Sequence, residues 1–406
     1  MKKTNIYGWM MWFIAALFYA LDYFQHTAPS VLIKPIANSA GISFIDVADI
    51  MSLYFPVYAI SQIPAGYILD KYGVRRILAI ACVVVSAGLG LMTLPEVGSL
   101  VVGRILIAIG SAFAFLGALK TASASLSARA FPVAVGLTNT IGVLGGILGQ
   151  PFLNFLIMKF DWIKASLYIV FFGLILAVFI FMFLRIKKVK HVEAVKLDYR
   201  SIYRDKKIWF LAIYAGIMVG TIVNAFGELY GVSFLEDAFR LTSEKASLIS
   251  STVFIGIAVG GPLHGFIAKK FKGNHTWMII ANIGSIVSFS LIVLSALVAI
   301  PYFVLFALYF LTGFFVSSML LAFSVARSDY PKQIHGAIFA LVNMVIGVSG
   351  FVFQFMLGKM LKLFLGDYGA HLKNIAYVKG LLILLIPLLI SMFLCINIAR
   401  KHKTVQ

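Results

Sequence analysis

Long apolar runs separated by short polar stretches make up most of the chain. Each run extends for roughly 20 residues or more, which is the length that an α-helix needs to cross the hydrocarbon core of a bilayer. Strands of a transmembrane barrel would instead alternate apolar and polar residues over stretches of about ten. The runs therefore predict an all-α membrane protein with twelve transmembrane helices, at residues 8–33, 47–69, 77–95, 98–126, 133–158, 163–185, 208–235, 246–268, 276–299, 302–325, 335–363 and 378–399.

The amino-acid composition also favours lipid as the surroundings of the chain. Of the 406 residues, 61% are hydrophobic and 12% are charged, whereas a soluble domain has about 45–50% apolar and about 25% charged residues. A soluble chain could not cover this much apolar surface. The first apolar run begins just after two lysines and shows no clear cleavage site, so we interpret it as a retained helix rather than a signal peptide.

The basic residues are unevenly distributed among the polar connections. The net charge is +19, which in a soluble protein would suggest nucleic-acid binding. With both termini placed in the cytoplasm, 23 of the 34 Lys and Arg fall on the cytoplasmic side, nine on the other side and two within helices. This is the asymmetry that the positive-inside rule describes. We therefore expect a multi-pass protein of the bacterial inner membrane, with the lipid bilayer as its partner and no binding of nucleic acid.

The longest polar stretch divides the chain into two halves of six helices. It predicts an N-terminal six-helix bundle at 1–185, a basic cytoplasmic linker at 186–207 and a C-terminal six-helix bundle at 208–406. The positive charge of the linker suits anionic lipid headgroups. Small residues and a short basic loop recur at 64–73 and 262–273, and a weak repeat of this kind is typical of secondary transporters.

A loop with one acid and several bases follows the second predicted helix. Its spacing is Gly, three residues, Asp, a basic residue, any residue, Gly, any residue and two arginines. This resembles the loop signature of the major facilitator superfamily, and the resemblance implies a secondary transporter built from two pseudo-symmetric six-helix bundles. In that family the loop acts as a cytoplasmic gate, a role that the resemblance gives to Gly66, Asp70, Lys71, Gly73, Arg75 and Arg76. The copy in the second half departs from the signature at Lys269, and lipid anchoring of the two arginines is the alternative interpretation.

Further resemblances to the same family lie in the first, fourth and fifth helices. The stretch 18–31 resembles the first helix of proteobacterial members, and Gly103-Arg104 followed by Gly110 resembles the helix-four motif of the family. The fifth helix resembles a motif that is often associated with proton-exchanging exporters, but Gln150 interrupts it. The motif residues here are Gly136, Gly145, Gly149 and Pro151. Glycines also let helices pack closely, so both interpretations stay open.

Ionisable side chains within the apolar runs mark the candidate proton-coupling residues. A charge at the centre of a membrane helix costs about 2.5–3.5 kcal/mol on insertion scales, so such residues pair or face water. Asp22 and His26 are four residues apart and share a helix face. We expect them to bind and release a proton, or else to lock the first helix to a neighbour. Glu228 is a second coupling acid, a ligand for a substrate amine, or a partner of Asn343 or Gln354.

Polar side chains within the same helices are candidates for substrate binding. The planar fork of Arg104 suits a carboxylate, either of the substrate or of Asp22. Lys120 either faces the same cavity or extends toward the membrane surface. For His264 we expect a role in packing or in a gate. The complete set of substrate-binding candidates comprises Arg104, Lys120, Asn224, Tyr19, Tyr23, Asn343 and Gln354.

The mixed charges favour one transport function over its alternatives. We expect alternating-access transport of a small organic solute, with proton-coupled uptake of an organic anion, an amino acid or a peptide-like zwitterion. A proton-antiport exporter of amphiphilic compounds or drugs is the alternative, although Arg104 and Lys120 disfavour it. A polytopic membrane enzyme would need a clustered catalytic motif, and the sequence contains none. It also shows no metal-ligand spacing, cofactor motif or phosphate-binding loop, and we expect a monomer.

Overall fold

A computed structural model of the protein describes residues 6–94, 96–127, 130–185, 204–271, 273–298, 300–330, 334–368 and 373–403. Most of the predicted linker 186–207 lies outside the described residues. The chain divides into two compact units, Met1–Val192 and Glu193–Gln406. Within the described ranges every regular element is a helix, and twelve stretches are long and apolar enough to cross a membrane. The predicted fold class is confirmed.

Unit 1 contains the first six of these stretches. Its helices run over Ile6–Thr27, Pro29–Ala40, Phe44–Ser52, Tyr54–Tyr72, Val74–Met92, Val97–Ser111, Ala114–Ser125, Phe131–Leu148, Pro151–Phe160 and Trp162–Phe183. The stretches that can cross a membrane are span 1 at Ile6–Thr27, span 2 at Phe44–Gln62, span 3 at Val74–Met92, span 4 at Val97–Ser125, span 5 at Val133–Phe160 and span 6 at Trp162–Phe183.

Several predicted helices of unit 1 are two helices in the structure. The predicted helix 8–33 ends at Thr27, and a separate helix begins at Pro29. Proline fits there because the first residue of a helix has no intrahelical partner for an N–H group. Span 2 is likewise interrupted at Leu53, and span 5 at Gly149-Gln150, just before Pro151. Apolar runs alone do not reveal such breaks, because the residues on both sides are equally apolar.

Small residues allow spans 3 and 4 to approach closely. A Cβ atom added at Gly88 would lie 2.6 Å from the carbonyl oxygen of Gly103. One added at Gly110 would lie 2.6 Å from the carbonyl oxygen of Ala81. In lipid, where apolar surfaces gain little from meeting each other, such close backbone contact is a main source of helix association.

Unit 2 contains the remaining six stretches. Its helices run over Lys206–Met218, Val219–Tyr230, Gly231–Phe239, Ser243–Lys270, Asn274–Ser295, Tyr302–Val316, Ser317–Leu320, Leu321–Asp329, His335–Tyr368, Lys373–Ile383 and Leu385–Lys403. The stretches that can cross a membrane are span 7 at Lys206–Phe239, span 8 at Ser243–Ala268, span 9 at Asn274–Ser295, span 10 at Tyr302–Ala326, span 11 at Ile338–Leu365 and span 12 at Lys373–Ile398.

The middle of span 7 is wound differently from the other helices. Residues Val219–Tyr230 form a π-helix, and all twelve of them are buried. A π-helix has i→i+5 hydrogen bonds and is rare at lengths beyond a single turn. Single turns of π-helix are frequently found at functional sites. The apolar run predicted the membrane-spanning helix correctly, but it gave no sign of this change in winding.

A network of charged and polar side chains connects the starts of spans 7 and 9 to the residues after span 10. Lys207 Nζ lies 2.6 Å from Asp329 Oδ2, and His275 Nε2 lies 3.7 Å from the same oxygen. The hydroxyl of Tyr330 donates to Asp205 Oδ2 at 2.7 Å. Burial by itself would raise the pKa of Asp329, but hydrogen bonds from Lys207 and Ser328 and the charge of Lys207 outweigh it, so this pKa is lowered.

We expect Asp329→Asn to lower the free energy of unfolding by about 1.5–3 kcal/mol at pH 7, because it removes a charge-assisted hydrogen bond. A carboxylate with a lowered pKa stabilises the fold above its unfolded value, about 3.9, and this contribution is lost as the pH falls through the folded value. The measurement is the thermal unfolding midpoint in detergent between pH 3 and pH 8. The difference between the wild type and the variant should be constant above about pH 5 and should vanish at the acidic end.

Glu244→Gln is the control for this comparison, because Glu244 is an exposed acid in the first turn of span 8. It should change the midpoint little at any pH. A difference between the wild type and Asp329→Asn that persists unchanged at pH 3 would contradict the assignment of the effect to the ionised carboxylate.

Candidate functional site

Asp22 and His26 meet a third polar group that comes from span 2. The hydroxyl of Tyr54 donates to Asp22 Oδ1 at 2.8 Å, and His26 Nε2 lies 3.7 Å from the same oxygen. The exposed fraction of Asp22 is 1%, and that of Tyr54 is 0%. The predicted pair is thus brought together, and one carboxylate oxygen is shared by a phenol and an imidazole.

Aromatic rings surround the imidazole of His26. The ring centroids of Tyr54, Tyr23, Phe55 and Tyr58 lie 4.5, 5.5, 5.8 and 6.1 Å from that of His26. The side chain of His26 keeps 12% of its surface exposed. The ring of Tyr23 stacks on the imidazole and the other three rings meet it edge-on, so His26 is enclosed by aromatic side chains beside the carboxylate of Asp22.

Arg104 connects spans 1, 2 and 4 at the same level. Its Nε donates to the carbonyl oxygen of Met51 at 2.9 Å, and one terminal nitrogen donates to that of Gln25 at 3.2 Å. Its guanidinium carbon lies 4.7 Å from the centroid of the Tyr54 ring. The buried cation and the buried acid Asp22 therefore both contact Tyr54, which places their charges in one cluster.

The other predicted residues of unit 1 lie in different surroundings. The rings of Tyr19 and Tyr23 contact each other at 5.8 Å, and Tyr19 also contacts Phe115 of span 4 at 5.1 Å. Lys120 is half-buried in the second helix of span 4, four turns after Arg104. Tyr19 and Tyr23 belong to the aromatic surroundings of the cluster.

The sequence suggests Tyr54 and Tyr58 only as residues that line a pocket or pack in the core, and it gives no sign of a second contributor, the backbone of Met51. Tyr54 is the hydrogen-bond donor to Asp22, and the carbonyl of Met51 holds Arg104. Tyr54 and Tyr58 stand four residues apart, so they share a helix face, and their rings stack at 5.3 Å. That spacing indicates from the sequence alone that the two tyrosines lie on one face. The sequence gives no such indication for a backbone carbonyl, because every residue has one.

In unit 2, two of the predicted residues bond to each other across spans 7 and 11. Gln354 Nε2 donates to the backbone carbonyl of Asn224 at 2.8 Å, and both side chains are buried. Glu228 lies four residues after Asn224 in the same π-helical segment, with 3% of its surface exposed. Asn343 is exposed and lies about three turns from Gln354 along span 11, so it does not join this pair.

His264 has a packing role in unit 2. Trp277 Nε1 donates to His264 Nδ1 at 2.7 Å, and His264 Nε2 lies 2.7 Å from the carbonyl oxygen of Phe314. An indole N–H can only donate, so Nδ1 accepts and the ring proton sits on Nε2, from which it is donated to the carbonyl. The histidine is thereby fixed as a neutral tautomer that joins spans 8, 9 and 10.

A sequence model described as Major Facilitator Superfamily matches residues 12–354. The chain belongs to this family. A solved structure of a bacterial homologue of the human lysosomal transporter Spinster, inward-facing and unoccupied, is similar with a TM-score of 0.82 at 16% identity, over 98% of both chains. A D-xylose–proton symporter structure has a TM-score of 0.72 at 15% identity, over 96% of this chain and 97% of that one. At these identities the likeness shows the fold alone.

Similar sequences in this family are transporters and not enzymes. The uncharacterized transporter YybO of Bacillus subtilis is 24% identical over 66% of this chain and 68% of its own length. The hexuronate transporter of the same organism is 27% identical over 62% of this chain and 63% of its own length. The matched region thus spans about two thirds of these relatives. The predictions of the family and of a transporter rather than an enzyme are confirmed.

The helix-five motif of the family forms a close contact with span 1. A Cβ atom added at Gly145 would collide with the carbonyl oxygen of Ala20, and one added at Gly149 would collide with the hydroxyl of Thr27. Nothing lies within 4 Å of the position that a Cβ would take at Gly136. Pro151 begins the helix that follows. The structure thus shows a packing role for Gly145 and Gly149. The association of the motif with proton-exchanging export is not tested by this contact.

The gate motif lies where span 2 continues into span 3. Gly73 has a φ of 88°, a conformation that favours glycine, and it separates the two helices. Nothing lies within 4 Å of a Cβ built at Gly66. Arg76 is exposed, and the side chain of Asp70 lies outside the described part of the structure.

The bases of the gate motif contact aromatic rings of unit 1. Lys71 Nζ lies 5.2 Å from the centroid of Tyr72, and the guanidinium of Arg75 lies 4.6 Å from that of Phe181. Such contacts orient long basic side chains and fit both the gating and the lipid-anchoring interpretations. Gating therefore stays a prediction.

We expect Gly145→Ala to destabilise the transporter by about 1–3 kcal/mol, because its methyl group would push spans 1 and 5 apart. Gly136→Ala is a matched control on the same span, and it should be neutral or stabilising by about 0.5–1 kcal/mol because alanine favours the helix. The measurement is the thermal unfolding midpoint of the two purified variants. Equal midpoints for both would show that the contact with span 1 contributes little.

Proposed function

We propose that the chain couples the uptake of a small organic carboxylate to the entry of a proton. The observation that carries this proposal is the shared contact at Asp22 Oδ1, where a buried carboxylate meets the hydroxyl of Tyr54 and the imidazole of His26. In this proposal Asp22 binds the coupled proton and His26 is its exchange partner. Only 1% of the Asp22 surface is exposed, so a change of charge there has a larger energetic effect than it would have in water.

The charges of the cluster suggest how the two solutes are coupled. While Asp22 is ionised, its charge offsets the buried charge of Arg104. Protonation of Asp22 removes that offset and leaves a net positive charge, which the carboxylate of a substrate can compensate. Each of the two solutes then strengthens the binding of the other, which is the reciprocity that linkage requires. Arg104 attracts the anion here through its charge as much as through direct contact.

The relatives support a carboxylate as the substrate class. Besides the hexuronate transporter of Bacillus subtilis, they include a probable L-galactonate transporter of Escherichia coli at 22% identity and a galacturonate transporter of Dickeya chrysanthemi at 28% identity. Each of these names describes a carboxylate. Amino acids and dipeptides also carry a carboxylate and are the second candidate class of substrate. Amphiphilic cations would be the substrates of an exporter.

We expect Asp22→Asn to reduce uptake of D-galacturonate driven by an inward proton gradient at least tenfold in proteoliposomes. Exchange of labelled for unlabelled substrate at equal pH should persist, because it needs no net release of the proton. Asp161→Asn is the control, since Asp161 is an exposed helix cap with a φ of 75° and asparagine tolerates both roles. Full gradient-driven uptake by Asp22→Asn would refute the role of Asp22. Transport of cationic dyes without any carboxylate would refute the proposed function.

We further propose that a single chain is the transport unit and that both its termini lie in the cytoplasm of a bacterium, in its inner membrane. The orientation is supported by the charge asymmetry, with 23 basic residues on one side and nine on the other. The single-chain unit is supported by the presence of both six-span units in one chain. A fluorescent protein that folds only in the cytoplasm, fused after Gln406, should be bright. If a phosphatase that is active only in the periplasm were active when fused at the same position, the proposed orientation would be wrong.

A further inference from the structure

A side-chain amide of span 11 bonds to the backbone of an asparagine in span 7 of unit 2. Gln354 Nε2 donates to the backbone carbonyl of Asn224 at 2.8 Å. The exposed fractions of Asn224 and Gln354 are 4% and 3%. The oxygens of both side-chain amides, Asn224 Oδ1 and Gln354 Oε1, have no hydrogen-bond partner among the described residues. Buried amide oxygens are normally bonded, so two such oxygens on residues that a hydrogen bond joins call for a donor.

The surrounding backbone keeps the two amides in this arrangement. Asn224 belongs to the π-helical segment Val219–Tyr230, whose twelve residues are all buried. The bond from Gln354 Nε2 fixes the plane of that amide, and therefore also the place of its free oxygen. A hydroxyl group that binds here would replace no existing hydrogen bond of either oxygen.

We infer that Asn224 and Gln354 form a subsite that recognises the hydroxyl groups of the substrate. This inference rests on the proposed function and adds the substrate class, a polyhydroxylated carboxylate. An amide oxygen only accepts hydrogen bonds, and so does a carboxylate. The pair therefore binds the hydroxyl-bearing part of such a molecule, and the carboxylate of the substrate binds elsewhere.

A third buried amide of unit 2 provides a matched control. Asn282 has a Nδ2 that donates to Ser391 at 2.6 Å and lies 3.3 Å from the sulfur of Met218. Its Oδ1 also has no partner among the described residues, but its recorded bonds go to a serine and a methionine rather than linking it to a second amide residue. Its substitution should reduce stability without changing which ligands are preferred.

The experiment compares three six-carbon probes, which separate recognition of the hydroxyl groups from recognition of the carboxylate. D-gluconate carries hydroxyl groups and a carboxylate, hexanoate carries the carboxylate alone, and D-glucitol carries the hydroxyl groups alone. Dissociation constants are measured by calorimetry on purified full-length protein for the wild type, Asn224→Leu, Gln354→Met and Asn282→Leu. Gel filtration and the unfolding midpoint identify variants that do not fold. Gln354→Met keeps an unbranched side chain of similar length, so it tests the subsite even if Asn224→Leu does not fold.

We expect the wild type to bind D-gluconate at least 100-fold more tightly than hexanoate. A site that is built to bond a hydroxyl group discriminates strongly against a ligand that lacks it, because its own polar groups are then left unpaired. Asn224→Leu and Gln354→Met should each reduce this ratio at least tenfold and leave hexanoate binding unchanged. Asn282→Leu should retain the wild-type ratio.

The outcomes separate this inference from the proposed function. A wild type that binds both acids equally would overturn the subsite while leaving carboxylate transport intact. Binding of D-glucitol that the two variants weaken, without binding of either acid, would support the subsite and refute the proposed function. The subsite is also overturned if both variants retain the wild-type ratio, or if none of the probes binds the wild type.

Discussion

Hydrocarbon offers no hydrogen bonds, so every polar group within a span must be satisfied by the protein or by a ligand. Arg104 illustrates this constraint, because its buried guanidinium donates to backbone carbonyls of spans 1 and 2 and lies over the ring of Tyr54. The same ring carries the hydroxyl that bonds Asp22. The acid and the base are thus tolerated inside the bundle only because spans 1, 2 and 4 satisfy them together.

This constraint also explains why the cluster of unit 1 suits proton coupling. When a group in water gains or loses a proton, the electrostatic energy of its neighbours changes little. Inside a low-dielectric bundle the same change alters the electrostatic energy of the entire cluster. Asp22 has two titratable neighbours on a single oxygen and a fixed cation nearby. In the proposed function, addition of one proton changes both the charge that a substrate meets and the contacts that hold spans 1 and 2 together.

Unit 2 satisfies its polar groups in a different way. Its ion pairs lie toward the ends of spans, with Lys207–Asp329 near one end of span 7 and Asp237–Lys373 near the other. The buried middle of span 7 carries one amide, Asn224, and one acid, Glu228, on a π-helical segment. Each unit has six spans. Unit 1 buries side chains of opposite charge close together, whereas unit 2 buries hydrogen-bond acceptors. Chemistry, rather than the number of helices, distinguishes the two halves.

The sequence by itself determined the helical spans, the family and the pairing of Asp22 with His26, because apolar length and i,i+4 spacing are local properties that the chain displays directly. It also pointed to Asn224 and Gln354 as separate polar residues. Only the tertiary structure decided that Tyr54 completes the acid site, that Gly145 rather than Gly136 contacts span 1, and that residues 219–230 are π-helical. Those features depend on which side chains of distant spans meet, and no local pattern of apolar and polar residues encodes such meetings.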